Sequence, residues 1–94
     1  MNLSDFCAAC ELLAKDGIQV DKAEYDGLAF GSWFVEVSFN GRPRRRISWD
    51  GRDRWLILQS QDADQTWKDE WVSREPHEQT VAQVMSRLLG YTAL

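Results

Sequence analysis

The chain has few of the residues from which most catalytic and metal sites are built. It contains one histidine, His77, and two cysteines, Cys7 and Cys10. A structural zinc site needs two further ligands, and a CxxC redox motif normally follows a strand, whereas this pair lies within a helical pattern and suits core packing. The glycines are scattered turn residues that form no phosphate-binding loop. We therefore expect no enzyme: no catalytic residue, no metal and no cofactor.

Long hydrophobic runs are also absent. The longest aliphatic and aromatic run, from Trp55 to Leu58, is far too short to cross a bilayer, and Asp5 and Glu11 interrupt the N-terminal apolar stretch. We expect a cytoplasmic protein that does not contact a membrane. With 94 residues, 44% of them hydrophobic and five tryptophans, residues 1–94 are expected to form a single compact domain.

Apolar spacing predicts a helix at each end of the chain. The first is expected over residues 4–16, with Ser4 and Asp5 at its start and Gly17 as its stop signal. The second is expected over residues 76–89, where apolar residues recur with a 3.6-residue period. Whether these helices cover one face of the intervening sheet or both is left open by the sequence.

Between the helices, alternating apolar and polar residues predict strands. These segments are residues 18–25, which could form a strand or an extended lead-in, and residues 33–40, 44–49, 54–59 and 67–72. The fourth has apolar side chains on both faces, as expected for an interior strand covered on both sides. The predicted fold is therefore α+β: an N-terminal helix, a four- to five-stranded antiparallel meander sheet and a C-terminal helix.

The hairpin around Asn40-Gly41 can be assigned a register from its side chains. A two-residue loop would place arginines on the apolar face of the second strand, which is unfavourable. A three-residue loop with a bulge instead places Val35 opposite Ile47 and Trp33 opposite Trp49. We predict this register, which leaves Arg44, Arg46 and Ser48 on the second face beside Phe34, Glu36 and Ser38.

The last strand carries acidic and aromatic side chains. Strict alternation places Trp67, Asp69 and Trp71 on one face, with Glu70 and Val72 on the other. We expect this segment to be an edge strand. An uncovered sheet face or an edge strand is a ready dimer surface, so self-association stays open.

The distribution of charge is the most informative feature of the sequence. Six of the eleven basic residues lie between Arg42 and Arg54, where they give a net charge of +4, whereas the whole chain carries −4. This basic hairpin could bind single-stranded nucleic acid through phosphate contacts and stacking on Trp49 or Trp55. The residues concerned are Arg42, Arg44, Arg45, Arg46, Arg52 and Arg54. The simpler interpretation is that these arginines pair with nearby carboxylates and contribute little else.

The acidic remainder of the chain suggests a different partner. A small acidic protein can occlude the cationic groove of a nucleic-acid-processing enzyme, with tryptophans as anchors. The expected partner-binding residues are Asp62, Asp64, Trp67, Asp69, Glu70 and Trp71. This is our first hypothesis, ahead of direct nucleic-acid binding and of a small enzyme that would use His77.

In size, acidity, tryptophan content and lack of catalytic motifs, the chain resembles small bacterial immunity proteins and phage-encoded inhibitors, including anti-CRISPR proteins. The resemblance is one of general character over the whole chain and transfers no functional residues. It implies a non-enzymatic protein-binding inhibitor. Secretion chaperones with a helix, sheet and helix in this order share much of that character and provide an alternative.

Overall fold

The computed structural model describes residues 2–38, 43–74, 87 and 88. The elements in these residues are α1 Leu3–Lys15, β1 Gln19–Asp26, β2 Ser32–Ser38, β3 Arg45–Asp50, β4 Trp55–Gln61 and β5 Trp67–Arg74. The strands form one antiparallel sheet in the order β1-β2-β3-β4-β5. The predicted α+β meander is confirmed with five strands. The helix predicted over residues 76–89 lies outside the described residues, apart from positions 87 and 88.

Local hydrogen bonds define both ends of α1. Asn2, and not the predicted Ser4, caps the N-terminus: its side chain accepts from the Asp5 amide, and the Asp5 carboxylate accepts from the Asn2 amide. At the other end Gly17 adopts a φ of 71°, and the amides of Gly17 and Ile18 donate to Ala14 and Leu13. This Schellman motif confirms Gly17 as the stop signal.

The predicted register of the β2–β3 hairpin is confirmed. Trp33 pairs with Trp49 and Val35 with Ile47, although the connecting residues 39–42 lie outside the described part of the chain. Side chains in β2 alternate between buried and half-buried along the whole strand. This register buries the apolar set on one face, since a slip of one residue would expose it.

One face of the sheet, called the covered face, packs against α1. Its buried side chains are Trp33, Val35, Val37, Ile47, Trp49, Leu56 and Leu58. They form one core cluster with Ala9 and Leu13 of α1 and with Leu88. Leu88 therefore packs against the same face of the sheet as α1.

The predicted side-chain alternation in β5 is wrong. Asp69 pairs with Gln59, whereas Trp71 pairs with Leu58, so Glu70 is an extra residue in a β-bulge. Trp71 consequently joins the core on the covered face, while Trp67 and Asp69 lie on the opposite face. The bulge thus separates two tryptophans that a regular strand would place together.

Candidate partner-binding face

The second face of the sheet, called the open face, carries two rows of side chains across β2 to β5. In the first row Phe34, Ser48, Ile57 and Val72 are neighbours. The second row contains Glu36, Arg46, Gln59 and Asp69. Both α1 and Leu88 pack on the covered face, and no described residue provides the second cover that we expected over β4.

Arg46 is held in place at the centre of the polar row. Its Nε donates to Gln59 Oε1 at 2.8 Å, and Gln59 Nε2 donates to Asp69 Oδ1 at 2.9 Å. The guanidinium carbon lies 4.4 Å from the centroid of the Trp67 ring and 5.9 Å from that of Phe34. Cation–π contacts and hydrogen bonds therefore fix Arg46 between two aromatic rings.

A second cation–aromatic pair lies at the other end of the open face. The Arg74 guanidinium carbon is 4.7 Å from the centroid of the Trp55 ring, and Trp55 pairs in register with Arg74. Carboxylates balance these cations, since Glu24, Glu36 and Asp69 share the same face. The open face is therefore rich in aromatic and arginine side chains but is not positively charged as a whole.

The predicted partner-binding residues divide into three groups. Trp67 and Asp69 lie on the open face, and Asp62 and Asp64 lie in the adjoining turn. Trp71 packs against the core, and Glu70 pairs with a buried arginine. The structure brings the first four of these residues to one corner of the sheet, which we call the Trp67 corner.

The turn between β4 and β5 is ordered by its own carboxylates. The Thr66 amide donates to Asp62 Oδ1 and to Asp64 Oδ1, at 3.1 and 3.2 Å. Lys68 Nζ lies 3.0 Å from Asp62 Oδ2. The hydrogen bond with the Asp64 carboxyl, followed by that from Lys68, lowers the pKa of Asp62 to about 2. Asp62 is therefore charged throughout the neutral range.

The arginine block does not form a continuous surface. Arg45 is 5% exposed and donates from Nη2 and Nε to Glu70 Oε2, at 2.6 and 2.9 Å, and from Nη1 to the Leu88 carbonyl at 3.2 Å. Arg44 Nε lies 3.3 Å from Asp21 Oδ2. Arg46 points to the open face, whereas Arg45 points to the covered face.

The remaining members of the block lie elsewhere. Arg52 and Arg54 are exposed in the β3–β4 turn, at the end of the sheet opposite the Trp67 corner. Arg42 lies outside the described residues. Alternation along β3 explains the dispersal, because Arg45 and Arg46 must point to opposite faces.

The described residues offer few side chains for a thiol, metal-binding or membrane-spanning site. Cys7 is exposed and Cys10 is half-buried against the core, both as free thiols, and burial raises the pKa of Cys10. His77 lies outside the described part of the chain. Within residues 2–38, 43–74, 87 and 88, no three His, Cys, Asp or Glu side chains form a group able to hold a metal ion. No helix in these ranges has the length and apolarity needed to span a membrane.

Sequence reasoning missed the residues that organise the Trp67 corner. The hairpin register already placed Arg46 beside Phe34, but the contribution of Gln59 and the stacking on Trp67 required the position of β5. A bulge at Glu70 has no sequence signal as clear as the Asn-Gly of a hairpin.

Comparisons with models of known protein families, with curated proteins and with solved structures find no match for the chain.

Proposed function

We propose that the protein is a non-enzymatic, protein-binding inhibitor that occludes a basic, nucleic-acid-processing enzyme. The observation that carries the proposal is the Trp67 corner, where an aromatic ring stacked with Arg46 adjoins the carboxylates of Asp62, Asp64 and Asp69. Tryptophan and arginine are the side chains most enriched at energetically dominant interface positions.

Preorganisation of this corner favours tight binding. Arg46 is fixed by Gln59 and by two rings, and Asp62 is fixed by the Thr66 amide and Lys68. Side chains that are already ordered lose less conformational entropy when a partner binds. A partner can therefore dock on this corner without first rearranging it.

Charge favours a basic partner. The chain carries a net charge of −4, and three of its carboxylates lie at the Trp67 corner against two cations, Arg46 and Lys68, so the corner itself has a small net negative charge. Opposite charges accelerate encounter and select against wrong partners. The nucleic-acid groove of a nuclease or a similar enzyme presents the complementary cationic surface, and covering it would inhibit the enzyme without any catalytic group on the inhibitor.

Direct binding of single-stranded nucleic acid is less well supported. Of the two aromatic residues expected to stack with bases, Trp49 is buried in the core and Trp55 already contacts the Arg74 guanidinium. In addition, Arg45 is buried against Glu70 and Arg44 pairs with Asp21. A polyanion approaching the open face would also meet the carboxylates of that face. A protein surface of mixed chemistry fits the open face better.

The proposal is tested by quantitative affinity capture from source-cell extract with two charge-matched variants. Asp69→Lys reverses a charge at the Trp67 corner, and Glu11→Lys makes the same change on the exposed side of α1. We expect wild type and Glu11→Lys to enrich the same basic nucleic-acid-processing protein, and Asp69→Lys and Trp67→Ala to lose it. The purified target should then lose activity on addition of the wild-type inhibitor.

Two outcomes would contradict the proposal. The first is capture that does not respond to Asp69→Lys or that yields no basic protein. The second is direct binding of a fluorescent oligothymidylate at low salt, which would favour the nucleic-acid alternative if it weakened with salt and was lost in Arg46→Ala.

A further inference from the structure

The turn between β1 and β2 exposes two large apolar side chains. Leu28 is 100% exposed and Phe30 is 69% exposed. Single exposed apolar residues are common on protein surfaces and need no explanation. Here, however, two of them occupy one short turn, residues 27–31, which we call the apolar tip.

Phe30 adopts a backbone conformation that is unfavourable for its residue type. Its φ is 59°, that of Gly31 is 71°, and the Ser32 amide donates to the Ala29 carbonyl at 3.0 Å. Two consecutive left-handed residues define a primed type I turn, in which Asn-Gly is the favoured pair. A bulky phenylalanine at such a position is uncommon, and its exposed ring gains little burial in return. Stability of the fold therefore does not explain the choice of Phe30.

The apolar tip is nevertheless held in one conformation. The Leu28 amide donates to Asp26 Oδ1 at 3.0 Å, and the Gly51 amide donates to Ser32 Oγ at 2.9 Å. A Cβ atom at Gly51 would overlap the Phe30 carbonyl, so the neighbouring turn packs directly against the tip. The two apolar side chains are thus displayed on a fixed support, as expected for an anchor that fills a pocket.

The charges around the tip indicate what it binds. Arg52 and Arg54 lie in the adjacent turn and Arg74 lies at the same end of the sheet, and the carboxylates of Asp26, Asp50 and Asp53 offset these three cations. Anionic lipid and nucleic acid are recognised by a positive surface, and the described residues at this end of the sheet carry no excess of positive charge. We propose that the apolar tip is a second, separate docking site that inserts Leu28 and Phe30 into an apolar pocket on a partner protein.

The test uses a photo-cross-linking amino acid, p-benzoylphenylalanine, at position 28 of the full chain in source-cell extract. A protein adduct should form and should be competed by excess unlabelled wild type. Unlabelled Phe30→Asn should need roughly tenfold or more higher concentration than wild type to suppress the adduct, as expected for loss of an anchor residue. Leu12→Gln, which removes an exposed apolar side chain from α1, should compete like wild type.

Competition by Asp69→Lys separates this site from the proposed inhibitory function. If Asp69→Lys still competes while Phe30→Asn does not, the tip acts independently of the Trp67 corner. Phe30→Asn should also raise the midpoint of thermal unfolding, because Asn-Gly suits the turn. A lowered midpoint would assign the ring a structural role and overturn the proposal.

Three further results would overturn the assignment to a protein pocket. They are the absence of a competable adduct, binding to phosphatidylglycerol vesicles that Phe30→Asn abolishes, and a dimer in sedimentation velocity that Phe30→Asn dissociates. The vesicle result would identify a membrane as the occupant, and the dimer would identify a second copy of the chain.

Discussion

Arg45 and Arg46 are neighbours in the chain and have opposite environments. Arg45 points to the covered face, where it is buried and paired with Glu70. Arg46 points to the open face, where it lies between two aromatic rings and is tied to Gln59. The comparison shows that an arginine cluster in a strand is divided by the two-residue period of the side chains, so its members do not form one surface.

The largest difference between the two faces should appear when a neighbouring pair of apolar residues in β4 is truncated. Leu58 is 1% exposed on the covered face, whereas Ile57 is half-buried on the open face. We expect Leu58→Ala to lower the free energy of unfolding by about 3 kcal/mol and Ile57→Ala by about 1 kcal/mol. Urea denaturation monitored by tryptophan fluorescence measures both values, and equal losses would mean that the open face is as well covered as the core.

The arginine pair itself gives the next largest difference. Arg45→Ala removes a buried side chain together with its hydrogen bonds to the Glu70 carboxylate and the Leu88 carbonyl, and we expect it to cost about 3 kcal/mol of stability. Arg46→Ala removes only half-exposed stacking and one hydrogen bond, so it should cost about 1 kcal/mol or less. The same denaturation measurement separates them. A larger loss for Arg46→Ala would reverse the assigned roles.

Two adjacent carboxylates at the bulge in β5, those of Asp69 and Glu70, can each be replaced by the isosteric amide. Glu70→Gln should cost about 2 kcal/mol because it neutralises the partner of a buried guanidinium. Asp69→Asn retains an acceptor for Gln59 and should change stability by less than about 0.5 kcal/mol. Equal effects in thermal unfolding would show that the Glu70 contact contributes little to the fold.

The smallest effect is expected from the acidic turn and concerns pH. The pKa of Asp62, at about 2, lies below the ordinary aspartate value of about 3.9, so its contribution is present at neutral pH. Stability should decline as the pH falls from about 4 towards 2. The hydrogen bond from Ser38 similarly lowers the pKa of Asp21, which acts in the same direction.

Asp62→Asn tests this pH dependence directly. Unfolding free energies measured between pH 5 and pH 2 should depend less steeply on pH in the variant than in wild type, because one depressed carboxyl group is removed. Lys68→Ala should reduce the slope partly, since Lys68 is one of the groups that lower the pKa of Asp62. An unchanged slope in both variants would exclude the turn as a source of acid sensitivity.

The pattern of apolar residues predicted the register of the β2–β3 hairpin because the alternative register would place arginines on the apolar face, at a large cost in free energy. Burying arginines opposite Val37 and Phe39 was the reason for rejecting the two-residue loop, and the observed pairing of Trp33 with Trp49 agrees. The same register nevertheless places Arg45 on the covered face opposite Val37. A single buried arginine is tolerated there because Glu70, from another strand, supplies its counter-charge.

The candidate site was predicted less completely than the fold. Trp67, Asp69, Asp62 and Asp64 do share one corner, but the expected contribution of Trp71 depended on strict alternation in β5. The bulge arises where half-buried Trp71 packs opposite Leu58 and Glu70 reaches Arg45. Both contacts involve residues distant in sequence, which local periodicity does not encode.

By itself, the sequence determined α1, an antiparallel meander of four or five strands and the β2–β3 register, because helix stop signals, turn residues and a two-residue apolar period act over short distances. The structure decided that residues 19–26 form the fifth strand. Only the tertiary structure decided which arginine is buried and which tryptophan lies on the open face. It also decided which carboxylates stabilise the fold and which belong to the candidate partner-binding surface. Those outcomes depend on the pairing of β4 with β5 and on packing against α1. In both places, burial and charge compensation involve residues that are far apart in the chain, so local sequence patterns do not predict them.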